Sequence, residues 1–360
     1  PPFPEDSPLV SILVPARNEE RNIRACVGSL LAQDYPSWEL IVLDDHSQDA
    51  TGKIVRELIA AAPSAAARLL EGTPLPAGWT GKSWACHQLA ESARGVYLFF
   101  TDADTAHAPG TVAAAVAHAT RTRADLLSAW PRLITETWGE KLVIPMILLL
   151  GMTLYPHWLL TLLQRGAGRG KSLPSAMRRG LGAANGQFLF FTRRGYEQIG
   201  GHTAIRGHLV EDVALGRAIA EQMPAGLRLI NCDALEFSTC RMYRSFSEVW
   251  EGFTKNVRSA FESSLGGFLV AGALQICLFL LPFVFLFTHP GSRSLVLAQV
   301  ALIFTIRVVL AARFRTSWSS VILHPFGLLL ALAIGLNSWR LTGRRGVVWK
   351  GRTYSDAPAD

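Results

Sequence analysis

Acidic residues vanish from the last part of this chain. Between Glu262 and Asp356 there is no Asp or Glu, while Arg293, Arg307, Arg313, Arg315, Arg340, Arg344, Arg345, Lys350 and Arg352 all fall in the interval. A water-exposed surface normally mixes both signs, so this stretch is not an ordinary soluble domain. Cysteine is sparse as well. The five (Cys26, Cys86, Cys232, Cys240, Cys277) are odd in number and form no Cys-x-x-Cys pair, which excludes a zinc ribbon or a dithiol redox site. They read as reduced, mostly buried small hydrophobes. The opening Pro1-Pro2-Phe3-Pro4 has neither the charged n-region nor the apolar h-region of a signal peptide, and an upstream membrane anchor is expected.

What is present is apolar and basic. The 360 residues are 49% hydrophobic and carry 35 Lys+Arg against 28 Asp+Glu, a formal charge of +7. Together these point to a membrane surface and away from nucleic acid as a partner.

The first third alternates strand-like and helix-like runs: Val10–Val14, a stretch from Glu19 to Gln33, Glu39–Leu43, a helix over 50–61, another near 83–93, then Val96–Phe100. Such alternation predicts an α/β fold with parallel strands and crossover helices. Ligands of open α/β sheets sit beyond the carboxyl ends of the strands. Here those ends are Pro15-Ala16-Arg17-Asn18-Glu19, Asp44-Asp45-His46-Ser47 and Asp102-Ala103-Asp104. No packing need explains acids at all three.

Further on, an apolar run from Leu142 to Leu163 is broken by Pro145, Pro156 and His157 and followed by an acid-free basic stretch, Arg165 to Arg179, that includes Lys171. It is read as an interfacial insertion over 142–179, with its cations on anionic headgroups. The globular part then ends near 240. An amphipathic interfacial helix is expected over 241–264, a transmembrane region over 265–341 and a basic cytoplasmic tail over 342–360. Phe268–Thr288 and Leu295–Ala312 are the clearest spans, and Val321–Trp339, with His324-Pro325, is read as re-entrant or interfacial.

Asp102 and Asp104, at i and i+2 after an apolar strand, can place one carboxylate on a ribose hydroxyl and one on a hard divalent cation, which binds few carboxylates plus substrate phosphates. The pair Asp44-Asp45 can accept the imide N–H of a uracil, with Pro15, Arg17 and Glu19 as the opposite wall of the base pocket. Lys82 is a candidate diphosphate contact. Glu211-Asp212, at a loop-to-helix junction after Gly200-Gly201-His202, suits a general base. Arg178, Arg179, Arg241 and Arg244 offer a phosphate clamp.

The ordered set Val-Pro-Ala-Arg-Asn-Glu (14–19), Asp-Asp-His-Ser (44–47), Asp-Ala-Asp (102–104), Gly-Gly-His (200–202) and Glu-Asp (211–212) resembles the family 2 glycosyltransferases. Within them, Arg241-Met242-Tyr243, Gly252–Asn256 and Trp349–Arg352 look like the hopene-associated and carotenoid-acid enzymes. The resemblance implies a GT-A (Rossmann-like, nucleotide-diphospho-sugar transferase) domain over 1–240, followed by transmembrane helices. It implies a UDP-sugar donor, with Asp45 reading the uracil, Asp102 on the ribose and the metal side, Asp104 holding Mn2+ or Mg2+, Arg241 among the nucleotide contacts, and Asp212, beside Glu211, the base of an inverting displacement. The acceptor implied is a lipid, and the place a bacterial cytoplasmic membrane, multi-pass, with the catalytic domain in the cytoplasm.

Two positions depart from the pattern. Arg17 stands where many members have an aromatic residue, so a cation over the base replaces stacking. Ser245 follows Arg241-Met242-Tyr243-Arg244 where processive synthases have Trp, which disfavours a polysaccharide synthase. Transfer to a polyprenyl phosphate and a non-catalytic membrane scaffold are the remaining alternatives.

Overall fold

The computed structural model describes residues 7–154, 156–165, 173–261, 263–289, 291, 293–345, 347–349 and 352–354. Lys171 and Lys350, assigned above to headgroups and to the tail, lie outside them. The chain forms two compact units. One comprises the described residues up to Arg132 and from 156 to Cys240; the other comprises Leu133–Leu154 and the described residues from Arg241 onward.

The first unit is built on eight strands: β1 (Val10–Ala16), β2 (Trp38–Asp44), β3 (Ala67–Glu71), β4 (Tyr97–Phe100), β5 (Thr105–His107), β6 (Leu126–Leu133), β7 (Leu189–Thr192) and β8 (Leu229–Cys240). They form one sheet in the order β3-β2-β1-β4-β7-β6-β8-β5. β1 pairs in parallel with β2 and β4, and β2 with β3. β7 runs antiparallel between β4 and β6.

The period-2 geometry of a strand sends Val10, Ile12 and Val14 into one apolar layer and Leu13 into the other. Phe99 and Phe190 follow the first set, Phe100 and Phe191 the second. Burial on both faces is why these central strands read as continuous apolar runs. β3, β5, β6 and β8 carry less continuous runs and were not singled out in the sequence.

The second unit is helical. Its first helix, Trp138–Leu154, corrects the sequence reading, which gave this stretch to the first domain as an insertion. Met146 and Leu149 are buried against Phe279, Ile303, Leu328 and Ala331 of the C-terminal helices, so packing assigns it there. Another difference is the segment 268–288. It is two helices, Leu265–Phe279 and Leu281–Thr288, broken at Leu280, with Pro282 in the first turn of the second. Proline lacks an N–H and is least costly in the first turn of a helix.

By length and composition, two stretches of the described residues suit a membrane crossing: Trp138–Gln164, with mean hydropathy 1.7, and Arg293–Phe314, with 2.3. The pair Phe246–Ala260 and Leu265–Phe279, bent by 116°, is a third if counted as one broken span. Within this unit Arg307 is buried, donating to Pro145 O at 3.0 Å and to Ser320 Oγ at 2.9 Å.

Candidate active site

The strand ends gather as the α/β argument requires. Ala16 and Asp44 are in register, and Asp45 N donates to Ala16 O at 2.8 Å. The two following loops are stitched together: Asn18 N donates to Ser47 Oγ at 3.0 Å, Gln48 N to Asn18 Oδ1 at 2.8 Å, and Glu19 N to Thr51 Oγ1 at 2.7 Å. Asn18 and His46 both take left-handed φ (53° and 56°) to make these turns. Arg17 donates through Nη1 to the carbonyls of Asp45 and His46. Asp44 and Asp45 are buried beside it.

Beyond β4, Thr101 N donates to Leu13 O at 3.1 Å, and the turn carrying Asp102 and Asp104 follows. A buried polar network that the sequence reading missed holds this turn from behind. Thr105 Oγ1 donates to Asp102 O at 2.6 Å, and His107 Nε2 lies 2.9 Å from Thr101 Oγ1. Burial pushes the His107 imidazole down to about 3, so it stays neutral. Loss of hydration, then the charges of Asp102 and Glu19, push the Asp104 carboxyl up to about 7. Its Oδ1 is buried and has no hydrogen-bond partner.

Two helix starts complete the cluster. Lys82, at the start of the Gly81–Ser92 helix, lies with its Nζ 2.7 Å from Asp102 Oδ1 and 2.6 Å from Glu211 Oε1. Glu211 and Asp212 open the Glu211–Glu221 helix, whose positive end favours acids. Desolvation raises the Glu211 carboxyl, but the charge and hydrogen bond of Lys82 outweigh it and hold it low. Desolvation and then the neighbouring Glu211 push Asp212 up to about 6. Asp212 is fixed by two backbone donors, Gly186 N at 2.7 Å and Val213 N at 2.8 Å. Sequence reasoning missed Gly186, because a backbone donor leaves no side-chain signature.

The fit of a hard divalent cation rests on Asp104: an enclosed carboxylate with an unpartnered oxygen beside a second acid is what such an ion neutralises. Among the described residues no group of three or more His, Cys, Asp or Glu could hold a metal by itself. An ion here would draw its other ligands from water and phosphate oxygens.

With this geometry in place, the comparisons decide the family. The chain matches the family pattern described as Glycosyl transferase family 2 over residues 11–158, and Glycosyl transferase family 21 over 162–358. It belongs to glycosyl transferase family 21. A curated relative, the 4,4'-diaponeurosporenoate glycosyltransferase of Staphylococcus aureus (strain USA300), is 26% identical over 96% of this chain and 88% of its own length. Among solved structures, the mannosyltransferase PcManGT from Pyrobaculum calidifontis, in complex with GDP-Man and Mn2+, aligns with a TM-score of 0.55 at 18% identity, over 95% of this chain and 90% of that one. The glycosyl transferase thus has the GT-A fold, as the resemblance implied.

Arg241, expected among the nucleotide contacts, belongs to the second unit, where it pairs with Glu136 at 2.7 Å and Glu140 at 3.7 Å. His202 is buried, lies 2.7 Å from Tyr196 Oη through Nδ1, and burial pushes its imidazole down to about 3.

The Glu211–Glu221 helix can lie where it does because residue 216 is glycine. A Cβ there would stand 2.7 Å from Ala183 C and 2.8 Å from Ala184 N, both backbone. Gly216→Ala should therefore lower the thermal unfolding midpoint by about 3–6 °C, since overpacking of this kind costs about 1–3 kcal/mol. Gly180→Ala, which meets nothing within 4 Å, should not lower it.

Proposed function

We propose that this glycosyl transferase moves a sugar from a UDP-linked donor to a lipid-type acceptor at the cytoplasmic face of a bacterial membrane, with inversion. The observation that carries the reading is Asp212: a carboxylate pinned by two backbone N–H groups, raised to about 6, beside the Lys82 bridge to Asp102. A base needs a fixed direction and a pKa near the working pH, and this carboxylate has both.

In this reading Asp45 accepts the uracil N–H, Pro15, Arg17, Glu19 and Asp44 shape the base pocket, and Asp102 meets the ribose. Asp104, with Asp102, would hold Mn2+ or Mg2+, which supplies charge neutralisation at the leaving diphosphate. Lys82 neutralises the same diphosphate from the protein side. Asp212 takes the proton of an acceptor hydroxyl as the oxygen attacks, and Glu211 keeps Lys82 in reach.

The lipid acceptor is supported by the apolar helices of the second unit and by the curated relative, whose name describes a carotenoid acid as its acceptor. The same helices support a multi-pass protein. The solved archaeal neighbour holds a nucleotide sugar and Mn2+, which agrees with the donor class and the ion.

The test uses the full chain in lipid nanodiscs with Mn2+ and either UDP-[14C]glucose or GDP-[14C]mannose. Label entering the organic phase from the UDP donor, and lost with EDTA, is expected. Transfer from the GDP donor alone would overturn the uracil assignment. Label released only as free sugar would overturn the lipid acceptor.

A further inference from the structure

Lys82 sits where its own helix least favours a cation. It is in the first turn of Gly81–Ser92, at the positive end of the helix dipole, and that turn contains no acid. What holds the ammonium is supplied from elsewhere: Asp102 at 2.7 Å from the β4 end, and Glu211 at 2.6 Å from the start of another helix. Gly186 closes the space, since a Cβ on it would lie 3.3 Å from Lys82 Nζ and 3.1 Å from Asp212 Oδ2. One ammonium thus fills the gap among acids from two separate motifs. Asp104 Oδ1, on the same turn as Asp102, is left without a partner.

A divalent cation that engages Asp102 and Asp104 would compete with this ammonium for Asp102, and like charges that share one carboxylate repel each other. We propose that Lys82 is a placeholder cation. In the donor-free protein its ammonium occupies the position between Asp102 and Glu211, and donor loading exchanges it for the divalent ion while the ammonium follows the diphosphate. The inference rests on the nucleotide-sugar reading above. No covalent bond or proton changes hands: the carboxylates trade one cation for another, and the departing ammonium is neutralised by the incoming phosphates.

Two consequences follow from the exchange. Metal without nucleotide must take Asp102 from Lys82 and leave the ammonium with Glu211 alone, so it binds weakly. Nucleotide diphosphate, by giving Lys82 a new partner, strengthens metal binding, and linkage requires the metal to strengthen nucleotide binding by the same factor. Glu211 is released from its ion pair only when both are present, so the acceptor side is completed after the donor has loaded.

The experiment titrates Mn2+ into the purified full chain in detergent, following free Mn2+ by electron paramagnetic resonance, with and without UDP. Lys82→Gln should bind Mn2+ alone at least fivefold more tightly than the wild type and gain less from UDP. Lys82→Arg should behave as the wild type. Equal or weaker Mn2+ binding by Lys82→Gln overturns the placeholder while leaving the donor reading intact. Absence of Mn2+ binding to either protein even with UDP overturns the metal reading and the placeholder together.

A second measurement needs no variant. Peptide-resolved acetylation of Lys82 in the wild type should rise when saturating Mn2+ is added alone and fall again when UDP joins it. Unchanged reactivity with Mn2+ would also overturn the exchange.

Discussion

Asp212→Asn should lower kcat about a thousandfold, within the range that a general base contributes, while UDP affinity measured by calorimetry changes by less than about twofold. The asparagine keeps one oxygen to accept the Gly186 N–H, while its NH2 replaces the oxygen that accepts from Val213 N, so one local hydrogen bond is lost along with basicity. The pH profile gives a second check. Because the Asp212 carboxyl is raised to about 6, its ionised form is lost as pH falls through that value. The wild-type kcat/KM should therefore drop about tenfold per pH unit below roughly pH 6, and this limb should be absent from the variant.

The result also separates two acceptor chemistries. A hydroxyl must be deprotonated as it attacks; a carboxylic acid, of the kind named for the curated relative, is already ionised at neutral pH. Loss of turnover in Asp212→Asn supports a hydroxyl acceptor. Turnover kept within tenfold would assign the acceptor to the carboxylates and remove the base role.

Asp104→Asn should abolish transfer, by at least about a thousandfold, through loss of the cation. Its effect on stability runs in the opposite direction. In the metal-free wild type Asp104 is raised to about 7 by lost hydration and by Asp102 and Glu19, so its ionised form opposes folding. That penalty is present above about pH 7 and is relieved as pH falls through it, since the folded state then binds the proton more tightly than the unfolded one. The amide removes the penalty. Without metal, Asp104→Asn should melt at or above the wild-type temperature at pH 8. With UDP present, Mn2+ at about a hundredfold over its Kd should raise the wild type by about 2.7 kcal/mol over UDP alone and add nothing to the variant. A variant that melts lower without metal, or still responds to Mn2+ with UDP, would remove Asp104 from the metal site.

How far the molecule could be read in advance depended on where each signal lay. β1, β2 and β4 were legible because burial on both faces makes them unbroken apolar runs, and their ends stood out through Arg17, Asp45 and Asp102. β8 was not: Leu229–Cys240 carries Asn231, Asp233 and Glu236 among its apolar residues, so no run announces it. The sequence marked Lys82 as a cation for phosphate but not its two carboxylates, which the fold brings from distant positions. Arg241 shows the reverse case. A motif suggested a ligand contact, while Glu136 and Glu140, unremarkable in sequence, are the partners it finds. The break at Leu280 was legible in Pro282 but outweighed by the length of the apolar run around it.

Between β6 and β7 the chain leaves the sheet unit, contributes the Trp138–Leu154 helix to the apolar unit, and then returns. The two units are therefore not beads that a single cut separates. A fragment ending at Cys240 would carry that helix without Phe279, Ile303, Leu328 and Ala331, the side chains that cover Met146 and Leu149, and would expose an apolar surface prone to aggregate. A soluble catalytic fragment needs two edits, a stop near 240 and a short bridge in place of 133–155. For the same reason the catalytic unit cannot be exchanged between relatives as one contiguous cassette: any recombination that brings a new sheet also brings its own helix into the apolar unit, and the two have to be inherited together.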